Sequence, residues 1–334
     1  MPVLYLVEQG ATLRKEGDLF IVTKGSETLQ KVPAAKVEQV VIFGNVNVTT
    51  PVIHYLLCQG IDCVFCSSTG RYHGRLLSTE SKFGLLRQAQ LQAASSTDTK
   101  VAIARQILRG KLCNLRTMLM RYLRQGAGED VSEAVEGLRR NIEKLSQVSD
   151  ISSLQGIEGY SSTLYYNAFK SLLKYDLGFR ARVRRPPRDP VNSLLSFGYT
   201  LLVYAAQAAV RTVGLDPFIG FLHTTEYSKP SLALDIMEEF RPLIVDSVVL
   251  RMVNNRIIQE GDFEQASDRE GMVRIKPEGI KVFLQQYEER MQTVIINPVT
   301  NTRADYRRSL ELQARQIARL VTGQQESYMP FLVK

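Results

Sequence analysis

The sequence predicts an α+β protein: a small, mainly antiparallel β domain over residues 1–80, a short hinge at 81–86, and a larger all-helical domain over 87–334. Three observations carry this. Through the first 80 residues, β-branched and aromatic residues come in short runs punctuated by Gly and Asn, the pattern of strands and turns. From about Ser81 the apolar spacing changes to long stretches of helical period. Between the two lies "STESK" at 78–82, a polar exit from the last strand.

The first strands are expected in "VLYLVEQ", "TLRKEG", "LFIVTKGSETLQKVP" and "VEQVVIFGNVNVT". One helix interrupts them. "TTPVIHYLLCQG" places Thr at the cap, Pro51 at the helix start and Gly60 just past its end. Strands resume in "IDCVFCS" and "YHGRLLS". "CVFC" has the spacing of half a zinc site, but no second such pair or nearby His completes it. Its neighbours Ile61, Val64 and Phe65 make it a buried strand with reduced cysteines. Beyond the hinge, helices are expected at 83–94, 98–124, 131–146, 151–175, 190–213, 231–254, 276–291 and 302–322. Pro242 should kink or restart the sixth of these.

Composition narrows the function. Apolar residues make up 44% and charged residues 23%, enough core for a folded chain rather than a disordered one. The formal charge of +8 favours a polyanionic partner, nucleic acid first. The start has no basic segment before an apolar run, and "YTLLVYAAQAAV" at 199–210 falls short of the ~20 residues a membrane span needs. A soluble, cytoplasmic protein is the expectation.

Candidate chemistry begins at "FLHTTEYSKPSLALDIMEEFRP", residues 221–242. On a helix starting near Ser231, Asp235, Glu238 and Glu239 share one face, opposite Ala233, Ile236, Met237, Phe240 and Ile244. A solvated acidic face is the ordinary explanation. His223, twelve residues before Asp235, can fold back over the helix start. Glu158 is less ordinary: it falls on the helical stripe of Leu154, Tyr165 and Phe169, where an unpaired carboxylate costs on the order of several kcal/mol. A salt bridge is one solution and a metal the other. Gly156 and Gly159 beside it forgo helix propensity, which suggests close approach by another backbone or a ligand. Glu158, His223 and Glu238 together would suit Mg²⁺ or Mn²⁺ better than Zn²⁺, with Asp235 as a supporting acid. In "GFRARVRRPPRDP", Arg180, Arg182, Arg184, Arg185 and Arg188 fall within nine residues, and the prolines bar helix. Guanidinium groups at this density suit phosphates, although a solvated loop would look the same. Five phosphate contacts would give a salt slope of roughly −4 to −5.

At these residues the chain resembles the CRISPR-associated adaptation integrase family. "QGIEGYSSTLYYNAF", "RRPPRDPVNSLLSFGYTLL" and "IGFLHTTEYSKPSLALDIMEEFRPLIVD" each match a family block in order and spacing. The resemblance spans nearly the whole chain, leaving 100–148 and the last ten residues without a motif. It implies a β domain used for homodimerisation and a helical catalytic domain. It also implies Glu158, His223 and Glu238 as catalytic metal ligands for Mg²⁺ or Mn²⁺, although some relatives carry Asp where Glu238 stands. Lys229 would contact DNA, and Tyr165, Asn192 and Ser196 would support the site or the DNA. The implied partners are prespacer and repeat DNA and the small ferredoxin-like second CRISPR-associated protein. The implied reaction is attack of a prespacer 3′-hydroxyl, or of water, on a phosphodiester. The alternatives are a non-catalytic DNA-binding scaffold in which the three residues never meet, and a zinc hydrolase of small phosphate esters, against which the arginine run argues.

Overall fold

The computed structural model describes residues 3–77, 83–223, 228–267 and 269–333. The chain divides into two compact units, Met1–Ser81 and Lys82–Lys334. Residues 81 and 82 of the expected hinge lie outside the described residues, and 84–86 are already helical.

The first unit runs β1 (Val3–Leu6), β2 (Thr12–Glu16), β3 (Leu19–Lys24), β4 (Glu27–Pro33), β5 (Gln39–Phe43), β6 (Asn47–Val48), α1 (Thr50–Gln59), β7 (Asp62–Cys66) and β8 (Tyr72–Leu76). "LFIVTKGSETLQKVP" is a hairpin, β3 to β4, turning at Gly25 with φ of +57°, a conformation that favours glycine. The strands form two four-stranded sheets, ordered β1-β5-β7-β8 and β4-β3-β2-β6. The expectation of a mainly antiparallel domain is corrected. Pairs β1–β5, β5–β7 and β2–β6 are parallel, and β2–β3, β3–β4 and β7–β8 antiparallel. A parallel pair needs a long crossover, and α1 supplies it between β5 and β7. Leu4, Leu13, Phe20, Val40, Val52 and Leu56 form the core, the last two from one face of α1. Cys63 and Cys66 are buried free thiols, and burial pushes the Cys63 thiol up to about 12.

The second unit begins with α2 (Gly84–Ser95), α3 (Thr97–Leu123), α4 (Glu129–Lys144), α5 (Ile151–Ser171), α6 (Pro190–Val213) and α7 (Ser231–Glu238). It continues with α8 (Ser247–Asn254), β9 (Phe263–Gln265), β10 (Val273–Ile275), α9 (Pro277–Met291), β11 (Val294–Ile296), β12 (Arg303–Asp305) and α10 (Tyr306–Val321). Caps set the starts. Asp150, Asp189 and Asp305 accept the backbone N–H three residues on at 2.7–2.8 Å, and Pro190 occupies the first turn of α6.

Two antiparallel hairpins, β9–β10 and β11–β12, correct the expectation of an all-helical unit. Three-residue strands carry too little alternation to show as a pattern, and β12 moves the expected start of the last helix from 302 to Tyr306. The helix expected at 151–175 stops at Ser171. The stretch expected as one helix over 231–254 is α7, a single turn of π-helix at Pro242–Asp246, and α8. Pro242 breaks it as a residue without an N–H should.

Helix α3 packs against α4, α5 and α7, and α6 against α7 and α10. Helix α6, 24 residues long, is apolar enough by length and composition to cross a membrane, contrary to the shorter stretch expected. Yet 72% of its most apolar window is buried within the protein, as a core helix requires. The short α7 is enclosed on all sides rather than along one stripe: Asp235, Glu238 and Glu239 are all buried with Ile236 and Phe240.

Candidate active site

The three acids of α7 meet three different surroundings. Asp235, wholly buried, faces the backbone of the preceding loop. Its Oδ2 accepts the N–H of Phe221 at 2.6 Å and of Leu222 at 3.0 Å. Its Oδ1 accepts the N–H of His223 at 2.9 Å and lies 2.7 Å from His223 Nδ1. Gly220 permits this wrap: a Cβ there would meet the Ser231 backbone at 2.7 Å and Asp235 Oδ2 at 2.9 Å. With both oxygens engaged by this chain, Asp235 holds the imidazole rather than reaching out itself. Nδ1–H donating to Asp235 leaves the lone pair on Nε2, which lies 3.9 Å from Glu238 Oε1. Burial disfavours the charged imidazole, but Asp235 more than offsets this and raises its pKa above the ordinary value. A cation taken up by Nε2 therefore displaces a proton when the ring is charged.

Glu238, at the end of α7, is 3% exposed and held between two cations. Arg241 Nη1 donates to Oε1 at 2.7 Å and to Oε2 at 3.0 Å. Lys111 Nζ, from α3, lies 2.7 Å from Oε2 and also contacts Glu158 Oε1. Burial pushes the Glu238 carboxyl up, but Arg241 and then Lys111 outweigh it and hold it well below the usual range. Glu158, on α5, is half-buried and accepts Ser162 Oγ at 2.9 Å. There too burial raises the carboxyl, and Lys111 brings it below its ordinary value. The salt bridge that was one solution for Glu158 is made by this lysine. The expected close approach at Gly156 and Gly159 is corrected: no described atom would come within 4 Å of a Cβ at either.

Glu239 does not belong to this cluster, and the solvated acidic face that is the ordinary explanation for such a residue does not form. It is fully buried and has a separate set of partners. Its Oε2 accepts Gln313 Nε2 at 2.9 Å, Tyr328 OH at 3.1 Å and the Phe331 N–H at 3.2 Å. Gly110 of α3 lies so close that a Cβ would meet Glu239 Oε1 at 2.6 Å. Burial raises this carboxyl to about 8, and the neutral donors only partly offset it.

Behind Glu238 stands a buried polar chain. Arg241 stacks on the Tyr199 ring at 4.2 Å. The Tyr199 hydroxyl donates to Asp246 Oδ1, and Tyr165 donates to Asp246 Oδ2 at 2.8 Å. The π turn, Pro242–Asp246, begins just after Arg241 and ends on Asp246, a feature common at functional sites. Tyr165 thus supports Asp246, its hydroxyl donating there rather than to Glu158, His223 or Glu238.

The arginine run divides. Arg184 and Arg185, both exposed, line one groove together with Lys229, His223, Glu238 and Arg241. Arg182 lines the same groove, but its guanidinium is held by the chain: Nη1 donates to Asn192 Oδ1 and Val183 O at 2.8 Å, and Nη2 to Ser196 Oγ at 3.1 Å. Asn192 is wholly buried, tying Ala181, Val183 and Asp189 together, so it shapes the arginine loop rather than contacting a ligand. Ser196 opens on the groove. Arg180 pairs with Asp176 at 3.1 Å, and neither it nor Arg188 lines the groove. Residues 224–227 of the loop after His223 lie outside the described residues.

Lys111 and Arg241 were missed from the sequence. The signal was present for Lys111, which falls among Ile107, Leu108, Leu112 and Leu115, the kind of misplaced charge that singled out Glu158. Among the described residues no three acid, imidazole or thiol groups close on one point as a finished ligand set. Glu158 Oε1 and Glu238 Oε2 both contact one cation, the Lys111 ammonium.

A sequence model described as CRISPR associated protein Cas1 matches residues 4–289. The chain belongs to the Cas1 family. It is similar to CRISPR-associated endonuclease Cas1 3 of Thermus thermophilus, 39% identical over 334 residues, covering 99% of this chain and 97% of that one. CRISPR-associated endonuclease Cas1 2 of Rhodospirillum rubrum is 33% identical and covers 99% and 98%. In three dimensions the chain resembles a Cas1 protein from Thermotoga maritima, with a TM-score of 0.82 and 26% identity over 99% of each. It also matches a chain of a Cas6-RT-Cas1–Cas2 complex, with a TM-score of 0.85 and 27% identity. There it covers 99% of its own length and only 36% of that longer chain.

Proposed function

We propose that this Cas1-family chain is a metal-dependent DNA nuclease and integrase that inserts prespacer DNA into a CRISPR array. The observation that carries the reading is a shared groove. His223 and Glu238 open onto the same concavity as Arg184, Arg185 and Lys229, so a phosphate backbone bound by those cations would pass over the acid and imidazole. The names of the relatives support an endonuclease.

The donor set fits a hard divalent cation. Glu158 and Glu238 present oxygens already turned toward a positive charge, and His223 presents an orientated Nε2. Glu158, His223 and Glu238 would hold Mg²⁺ or Mn²⁺, as cytoplasmic CRISPR adaptation would supply. Once bound, such an ion polarises a phosphoryl oxygen and lowers the pKa of an attacking hydroxyl. The chain does the rest. Arg184, Arg185 and Lys229 draw in and align the phosphodiester. Asp235 keeps the proton on His223 Nδ1, and Arg241 holds the Glu238 carboxylate charged and fixed. The prespacer 3′-hydroxyl loses its proton as its oxygen forms the new P–O bond, and the 3′-oxygen on the other side of the attacked phosphodiester leaves and takes up a proton; water in place of the 3′-hydroxyl gives hydrolysis. The first unit would serve homodimerisation, and the small ferredoxin-like second CRISPR-associated protein would bridge two dimers. One structural relative is a Cas1–Cas2 assembly by its description.

In the Glu158→Ala variant, strand cleavage and integration dependent on Mn²⁺ or Mg²⁺ should disappear, while salt-sensitive DNA binding survives. Unchanged activity would overturn the reading. A non-catalytic scaffold is favoured by one observation, that Lys111 and Arg241 together balance the charges of Glu158 and Glu238. It predicts no divalent-dependent cleavage in the unsubstituted protein either.

A further inference from the structure

Lys111 is a cation that the reaction just described does not use, and it stands where that reaction needs another. Its side chain, on α3, is 3% exposed, and its Nζ bridges Glu158 Oε1 and Glu238 Oε2. An ammonium carries three donors around a compact point charge, so it can satisfy two carboxylates from different helices at once. Two carboxylates, Lys111 and Arg241 sum to zero charge. Glu238, buried, and Glu158, half-buried, would repel each other without a cation between them, and with Lys111 and Arg241 these four side chains form a neutral group.

A divalent ion held by Glu158 and Glu238 would need the same two oxygens and would add two positive charges beside Lys111 Nζ. Both demands oppose the lysine where it lies. Resting on the metal-dependent reading above, we infer that Lys111 is a positioning residue, a resident counter-cation that keeps the two carboxylates paired in the ion-free protein and is displaced from them when the divalent ion binds. The carboxylates are thereby prearranged around a positive charge, and the affinity for the ion is set by its competition with the ammonium. Arg241 cannot take this part, because it contacts Glu238 alone of the two and is stacked on Tyr199.

The test measures binding rather than turnover. Mn²⁺ is titrated into the full chain and free Mn²⁺ is followed by its paramagnetic resonance signal, with thermal unfolding midpoints recorded with and without the ion. In Lys111→Met the ion-free midpoint should fall, while Mn²⁺ affinity should rise about tenfold or more and the ion-induced gain in midpoint should exceed that of the unsubstituted protein. In Lys111→Arg, whose fork grips carboxylates more tightly, the ion-free midpoint should be kept and Mn²⁺ affinity should fall several-fold. This second variant decides the matter if the first does not fold. Mn²⁺ affinity that is unchanged or weaker in Lys111→Met, or unchanged in Lys111→Arg, overturns the inference. If the unsubstituted protein and Glu158→Gln bind Mn²⁺ equally, the divalent site itself is wrong, and the inference about Lys111 falls with it.

Discussion

Glu238 and Glu239 are neighbours in sequence, both buried, and electrostatically opposite. On the groove side of their helix, Glu238 lies between Lys111 and Arg241 and keeps its negative charge. Away from the groove, Glu239 meets an amide, a phenol and a backbone N–H, and its carboxyl is raised to about 8, so it is mostly protonated at neutral pH. Burial alone raises both. What differs is the charge of the partners, and this separates a carboxylate suited to a cation from an acid that pins the C-terminal segment against α3 and α10. The same helix thus carries a chemical side and a structural side one residue apart.

The largest break in this contrast should come from Glu238→Gln. It leaves Lys111 and Arg241 with a buried, uncharged partner, and removing one member of a buried ion pair costs about 3–5 kcal/mol. Denaturant unfolding should register that loss, and divalent-dependent cleavage should fall on the order of a thousandfold, since several kcal/mol of charge stabilisation goes with the ligand. The corresponding Glu239→Gln should leave cleavage near its original rate.

Asp235→Asn comes next. Asp235 accepts four N–H groups, and an amide in its place presents hydrogens where two of them point. His223 should lose its fixed tautomer and orientation, lowering Mn²⁺ affinity and activity by about 10–100-fold. An Asn variant with full affinity would return Asp235 to the role of an ordinary loop anchor.

A smaller effect sharpens the structural side. The Glu239 carboxyl titrates near 8 in the folded chain against an ordinary value of 4.5. The folded state therefore holds a proton that the unfolded state has lost between those values. Stability from this group is complete below 4.5 and declines as pH rises toward 8, at up to about 1.4 kcal/mol per pH unit. Unfolding of Glu239→Gln across that range should show a flatter profile than that of the unsubstituted protein. The smallest change is expected from Arg184→Ala with Arg185→Ala: two phosphate contacts fewer should flatten the DNA-binding salt slope by about 1.8. Arg182→Ala should instead loosen the loop that Asn192 organises, a difference visible in its unfolding midpoint.

Much of the helical unit was legible because its signals are local. Asp189, Pro190 and Gly214 bound the sixth helix where expected, and Pro242 ended the seventh. The arginine run and the misplaced Glu158 could also be noticed from spacing alone. The two short hairpins could not, since three residues carry no readable period. Nor could strand direction: β1, β5 and β7 look alike as sequence whether they run parallel or not. The helical wheel also grouped Asp235, Glu238 and Glu239 together, because a wheel shows angle and not what stands opposite.

By itself, the sequence determined where some helices start and stop, that a basic loop and several acids were available, and which family the chain resembles. Only the tertiary structure decided what each charge meets. Lys111, 47 residues before Glu158, bridges it to Glu238, while Gln313 and Tyr328 meet Glu239 from beyond the seventieth residue downstream. The reason is physical: caps and periods are set by neighbours along the chain, whereas the state of a buried carboxylate is set by whatever is packed within a few ångströms of it.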